Sequence, residues 1–192
     1  MIKNVAIFAS GEGTNAQTII DYFKSSQKIK IALVVSNKST ANVLNRAKNN
    51  NITTLIIDKH SFCETNDVID VLKKTNIDLI VLAGFLWMIP ENLVKAFPNK
   101  IVNIHPALLP KFGGKGMSGM NVHKAVVEAK EKESGISIHF VNEKYDEGKI
   151  IAQHKCEVDE NDTADTLAEK IHRLEYNHFP KTIEELLSKQ PN

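Results

Sequence analysis

Cysteine is nearly absent: Cys63 and Cys156 are the only two in 192 residues. That excludes a disulfide framework and a tetrahedral zinc cage, and no metal site is expected. A reduced, intracellular chain with a cytoplasmic location fits best. Long hydrophobic runs are missing as well. The first apolar stretch, residues 5–9, follows Lys3 directly and meets Gly11 soon after, which is too short for a signal segment or a membrane span. No lipidation motif marks either end. Nor is there an excess of one charge: 24 Lys and Arg stand against 23 Asp and Glu, a formal net charge of +1 with no long basic block. Overall charge therefore gives no case for a nucleic-acid partner.

What is present suits a folded protein with one substantial core: 42% of residues are hydrophobic and 24% charged. Short apolar runs alternate with longer amphipathic stretches, as a parallel sheet with crossover helices requires. The pattern predicts strands over 2–9, 31–35, 53–57, 78–83 and 101–104, with helices over 16–24, 41–49, 66–75 and 90–97 between them. A long loop over 105–120 and a helix near 121–129 follow. Two more strands, 135–141 and 149–158, are joined by the turn that carries Asp146. A last helix, capped at Asp162 or Thr163, runs to about Leu187 with an interruption near Pro180. The fold class is α/β, a doubly wound and mostly parallel sheet of Rossmann-like type.

Three features could carry chemistry. Ser10-Gly11-Glu12-Gly13-Thr14-Asn15 links the first strand to a helix N-terminus, where glycines allow tight turns and free amide groups favour an anion. It lacks the Walker lysine and the spacing of the dinucleotide fingerprint, so a phosphate site and an ordinary glycine turn stand level. Asn103-Ile104-His105-Pro106 closes a strand at its carboxyl end, where open α/β sheets place their ligands. Alternation puts Asn103 and His105 on one side, an amide donor beside an imidazole, as acyl transfer to an amine needs. A capping Asn and a surface His explain the same residues equally well. Asp146, in a turn with Gly148, could hold His105 protonated, although a solvated turn aspartate is the simpler reading.

The remaining histidines, His60, His123, His139, His154, His172 and His178, share no ligand spacing. His139 and His154, on adjacent predicted strands, read as partly buried structural residues.

The run Asn103-Ile104-His105-Pro106-Ala107-Leu108-Leu109-Pro110 resembles the signature of the 10-formyltetrahydrofolate-dependent formyltransferases. The glycine loop, Leu82-Ala83-Gly84-Phe85, Lys115-Gly116-Met117, Val122-His123, Ser137-Ile138-His139-Phe140-Val141 and the Asp146 turn extend the resemblance over essentially the whole chain. It implies one formyltransferase domain over residues 1–192, its N-terminal half binding the ribonucleotide phosphate and its C-terminal half binding folate and carrying catalysis.

The resemblance further implies transfer of a formyl group from 10-formyltetrahydrofolate, a co-substrate, to the amine of glycinamide ribonucleotide in purine biosynthesis. Gly13, Thr14 and Asn15 would hold the phosphate, and His172, Arg173, Leu174 and Glu175 would meet the ribose. Leu86, Trp87, Met88 and Ile89, with Asn103 and Asn142, Glu143, Lys144, Tyr145 and Asp146, would enclose the pterin. Asn103, protonated His105 and Asp146 would form the catalytic group, meeting the oxyanion as the amine attacks the formyl carbon. Trp87 departs from the basic or small polar residue frequent in relatives, so folate contacts there would run through the backbone. The 61–65 segment lacks an arginine that some relatives place near the folate tail.

The partners implied are small molecules, with the chain a monomer or homodimer. Neither the basic C-terminal domain of a transfer-RNA formyltransferase nor the added regulatory domain of a formyltetrahydrofolate hydrolase is expected. A non-catalytic Rossmann-type nucleotide-binding module is the rival from another class.

Overall fold

The structure, a computed structural model, describes residues 1–144 and 146–189. The apolar runs form β1 (Lys3–Phe8), β2 (Ile29–Ser36), β3 (Thr53–Ile56), β4 (Ile77–Leu82) and β5 (Ile101–His105), all paired in parallel. Two further strands, β6 (Glu133–Phe140) and β7 (Ile150–Glu157), extend the sheet antiparallel. The order is β3-β2-β1-β4-β5-β6-β7. The chain winds outward from β1 to β3, then returns to β4 on the other side of β1. Such a reversal opens a crevice at the carboxyl ends of the central strands.

Both faces of the sheet are covered, and side-chain alternation along β1 divides two cores. Val5 and Ile7 pack with the apolar faces of α1 (Thr14–Phe23), α2 (Asn42–Asn49), α6 (Met120–Glu128) and α7 (Ala164–Lys189). Ala6 and Phe8 point the other way, toward α3 (Lys59–Cys63), α4 (Asp67–Lys74) and α5 (Glu91–Ala96). No helix among the described residues is long and apolar enough to cross a membrane.

The structure differs from expectation at three elements. The sequence pattern predicts no helix at α3, whose five residues are too few to show a period. It forms because Asp58 caps it: its carboxylate accepts from Ser61 N at 2.8 Å, and the Ser61 hydroxyl oxygen accepts in turn from Asp58 N at 3.2 Å. The last helix is not interrupted at Pro180 but continues through it to Lys189. Proline there removes one backbone bond at a cost of about 3 kcal/mol, yet Ile171, Phe179, Ile183 and Leu187 are all buried along the same helix, and their packing keeps it continuous through the defect. His105, expected to begin the long loop, is instead the last residue of β5, which ties its backbone to the sheet.

Candidate active site

A cavity of about 370 Å³ opens where β4 and β5 end, and Asn103, His105 and Asp146 all line it. The sheet fixes the first two. Asn103 and His105 lie two apart on β5, so both project to the same side, and His105 is 3% exposed. The loop after β5 is stapled back onto β6: the Ser137 hydroxyl donates to Ala107 O at 2.7 Å and accepts from Leu109 N at 2.9 Å. Phe112, at φ 56°, then turns its carbonyl to His105 Nε2 at 2.7 Å.

Asp146 reaches the same point from the turn after β6, with φ 54°, a left-handed conformation that aspartate tolerates better than most residues. Its Oδ2 accepts from Gly114 N at 2.9 Å and lies 3.5 Å from His105 Nδ1. Its Oδ1 lies 3.5 Å from Nε2 of His139.

Burial pushes the His105 pKa below its ordinary value, against the upward pull of the Asp146 carboxylate and the Phe112 carbonyl; His139 adds a smaller push down. The expectation that Asp146 keeps His105 charged is thus corrected: the pull exists, but desolvation outweighs it. Burial acts on Asp146 in the opposite sense, upward, but bonds from His139 and Gly114 and the charges of both imidazoles overcome it and hold the carboxyl below its ordinary range. Asp146 is therefore an anion at neutral pH. Each nitrogen of His105 faces an oxygen acceptor, so a proton arriving during reaction finds both N–H groups satisfied. The site suits an imidazolium that forms transiently better than one that persists.

One end of the cavity is polar. Asn15 Nδ2 donates to Glu175 Oε2 at 2.8 Å, and burial raises the Glu175 pKa while the Asn15 bond and His172 lower it. Asn15, His172 and Glu175 line the cavity; Gly13, Thr14, Arg173 and Leu174 do not. Gly13 is the left-handed N-cap of α1, at φ 71°, with Thr14 exposed beside it. Helical periodicity separates the expected ribose group: positions 172 and 175 share a face, whereas Arg173 extends to within 4.0 Å of Glu169 and Leu174 packs on the core.

The other end is more apolar. Leu86, Trp87, Met88, Ile89, Asn142 and Lys144 all belong to its wall. The segment is tied to the end of β1 by Ser10, whose hydroxyl accepts from Leu86 N at 2.9 Å and donates to Asn37 at 2.6 Å. Glu143 is exposed and outside the wall, because the turn directs it away between two residues that face in. Tyr145 lies outside the described residues.

Two histidines are among the cavity residues that the sequence reading did not assign to the site. His139, read there as structural, stands opposite Asn103 in the β5–β6 register, with Asn103 Nδ2 3.1 Å from its Nε2 and its Nδ1 donating to Phe140 O at 2.9 Å. Recognising it needs the antiparallel pairing of β6, which a single chain pattern does not disclose. His123 is the one α6 residue in the wall; its sequence signals are a histidine on an otherwise apolar helix face and its place in the Val122-His123 motif of the resemblance, neither of which assigns it a role.

Residues 3–183 match the profile of the formyl transferase family. A chloroplastic phosphoribosylglycinamide formyltransferase of Arabidopsis thaliana is 41% identical over 187 residues, covering 94% of this chain and 64% of the relative. The corresponding Vigna unguiculata protein is 40% identical, with 61% of its length covered. The chain thus spans less than two thirds of those two plant relatives. The phosphoribosylglycinamide formyltransferase of Bacillus subtilis is 36% identical, with 97% of this chain and 95% of the relative aligned. The crystal structure of the Bacillus halodurans phosphoribosylglycinamide formyltransferase superposes with a TM-score of 0.89 at 38% identity, covering 99% of this chain and 98% of that one. The chain belongs to the formyl transferase family.

Proposed function

We propose that the protein transfers a formyl group from 10-formyltetrahydrofolate to the amine of glycinamide ribonucleotide, yielding formylglycinamide ribonucleotide for purine biosynthesis. The observation that carries this reading is the placement of Asn103, His105 and Asp146 in one cavity, between a polar end and a more apolar end. The names of the relatives supply the acceptor and the formyl group, the resemblance in sequence supplies the folate donor, and the two ends suit them.

The polar end takes the ribonucleotide. The amide groups at the start of α1, around Gly13, Thr14 and Asn15, suit its phosphate, and the buried Glu175 carboxyl, with His172 beside it, suits the ribose hydroxyls. The more apolar end takes the folate. Leu86, Trp87, Met88 and Ile89, with Asn142, Lys144 and Asp146, offer a narrow wall with a few polar groups, which fits a flat heterocycle. Each end draws on both halves of the chain. The folate supplies the formyl carbon.

Asn103 presents an amide N–H donor where negative charge develops on the formyl oxygen, and a donor held in place by a sheet needs little reorganisation. The acceptor nitrogen must shed a proton as its bond to the formyl carbon forms, and the departing nitrogen must gain one. His105 carries the proton between them, with ionised Asp146 stabilising the charged ring at Nδ1 and the Phe112 carbonyl at Nε2. His139 orients the Asn103 amide. Neither a metal nor a nucleic acid enters this scheme, and the protein works as a monomer or homodimer in the cytoplasm.

The test mixes purified protein with 10-formyltetrahydrofolate, with and without glycinamide ribonucleotide. Deformylation that requires the ribonucleotide supports the reading. Deformylation by water alone would identify a hydrolase, and no turnover would identify a binding module.

A further inference from the structure

His123 is 2% exposed, lines the cavity, and its Nδ1 is enclosed without a hydrogen-bond partner. The other two buried histidines of the cavity are held differently. His105 has the Phe112 carbonyl and Asp146, and His139 has the Phe140 carbonyl and Asn103. Among the described residues no carboxylate or carbonyl orients His123. A buried polar group without a partner is costly, and of the two ring nitrogens only Nδ1 is so enclosed, which leaves Nε2 as the one a molecule in the cavity can meet.

Its position narrows the partner. His123 shares the cavity wall with His172 of the ribose end and with His105 of the reaction centre. In the proposed acceptor, the part that spans from ribose to amine is the glycinamide arm, whose single amide offers one N–H and one carbonyl. Burial, with the two neighbouring histidines, keeps the ring neutral at physiological pH. A neutral imidazole presents one donor and one acceptor, and it can match either group of an amide.

We infer that His123 is a substrate-contacting residue that hydrogen-bonds the amide of the acceptor's glycinamide arm and selects for acceptors that carry that amide. This rests on the acceptor proposed above. The contact fixes the arm between Glu175 and His105, so that the amine reaches the formyl carbon correctly oriented. It also makes α6, which follows the loop carrying Gly114, part of the acceptor site.

The test compares wild type with His123→Leu, which keeps most of the volume and removes both nitrogens, and His123→Gln, which restores a donor and an acceptor. Steady-state kinetics with both substrates should show the KM for glycinamide ribonucleotide rising about tenfold or more in His123→Leu, consistent with loss of one buried hydrogen bond. The KM for 10-formyltetrahydrofolate should stay within twofold of wild type, and His123→Gln should recover part of the loss. Calorimetric binding of ribose 5-phosphate, which lacks the arm, should not distinguish the three proteins. An unchanged ribonucleotide KM in a folded His123→Leu protein overturns the inference, as does an equal loss for ribose 5-phosphate. If His123→Leu does not fold, His123→Gln alone decides: ribonucleotide KM and ribose 5-phosphate affinity weakened together would overturn the inference, whereas a shift confined to the ribonucleotide supports it. Failure of wild type to use glycinamide ribonucleotide at all would instead reject the proposed acceptor.

Discussion

Asn103 and His139 face each other across β5 and β6, with the amide Nδ2 3.1 Å from the imidazole Nε2. The same Nε2 lies 3.5 Å from Asp146 Oδ1. With the Nδ1 proton donated to Phe140 O, Nε2 accepts from Asn103. His139 therefore sets the direction of the Asn103 amide, and removing it should leave the proposed oxyanion donor free to rotate. His139→Ala should lower kcat about tenfold to a hundredfold with little change in either KM, as loss of a positioning hydrogen bond does. Steady-state kinetics with each substrate varied will show it.

Replacing Asp146 by Asn keeps the shape and removes the charge that favours protonated His105. We expect kcat to fall by a factor on the order of 10² to 10⁴. The imidazolium would also be lost at lower pH than in wild type, because the upward pull on His105 has gone. A pH profile of kcat for the two proteins checks the direction.

The acid limb of stability should respond to His123. Burial, followed by the charges of His172 and His105, pushes its pKa from 6.5 to about 4. As pH falls through 6.5 the unfolded chain takes up the proton first, so this contribution to stability is complete above 6.5 and is lost between 6.5 and about 4. His105 shifts in the same direction. In His123→Leu, the drop in stability between pH 7.5 and pH 5 should shrink by about 2 kcal/mol. Urea unfolding at the two values measures it.

At the start of α1, a Cβ added to Gly13 would lie 2.5 Å from Val43 Cγ2, and the backbone there sits at φ 71°. Gly13→Ala should destabilise the protein by about 1–3 kcal/mol and weaken ribonucleotide binding by moving the amide groups that suit its phosphate. Thermal unfolding and calorimetric titration read the two effects separately.

Along α7, Glu175 lines the cavity while Arg173 points outward. Arg173→Ala should leave both KM values within about twofold, as surface substitutions usually do. Glu175→Gln should raise the ribonucleotide KM roughly tenfold or more by replacing a buried carboxylate acceptor. The pair of variants in one kinetic series separates the helix face from mere neighbourhood in sequence.

The central strands were readable because β1, β4 and β5 are covered on both faces and so appear as short unbroken apolar runs, and alternation along β5 sufficed to put Asn103 and His105 together. Asp146 stood out only by family resemblance, since its turn looks like any solvated turn until β6 and the 105–120 loop are folded against it. Arg173, Leu174 and Glu143 show the limit of carrying a role along contiguous residues: helix period and turn geometry choose some and turn their neighbours away. His139 depended on strand register, and His123 on the packing of α6 beside α7, both of which arise only in three dimensions. Pro180 marks the converse case, where a strong local signal for a break yields to burial on both sides of it.

The central claim is that His105 is the proton-carrying donor at the formyl centre and not a determinant of binding. Single-turnover formyl transfer by His105→Ala, with both substrates saturating, tests it most directly. The claim predicts a rate lower by a factor on the order of 10³ or more, with glycinamide ribonucleotide bound within a few-fold of wild-type affinity. A near-normal rate in that variant would contradict it.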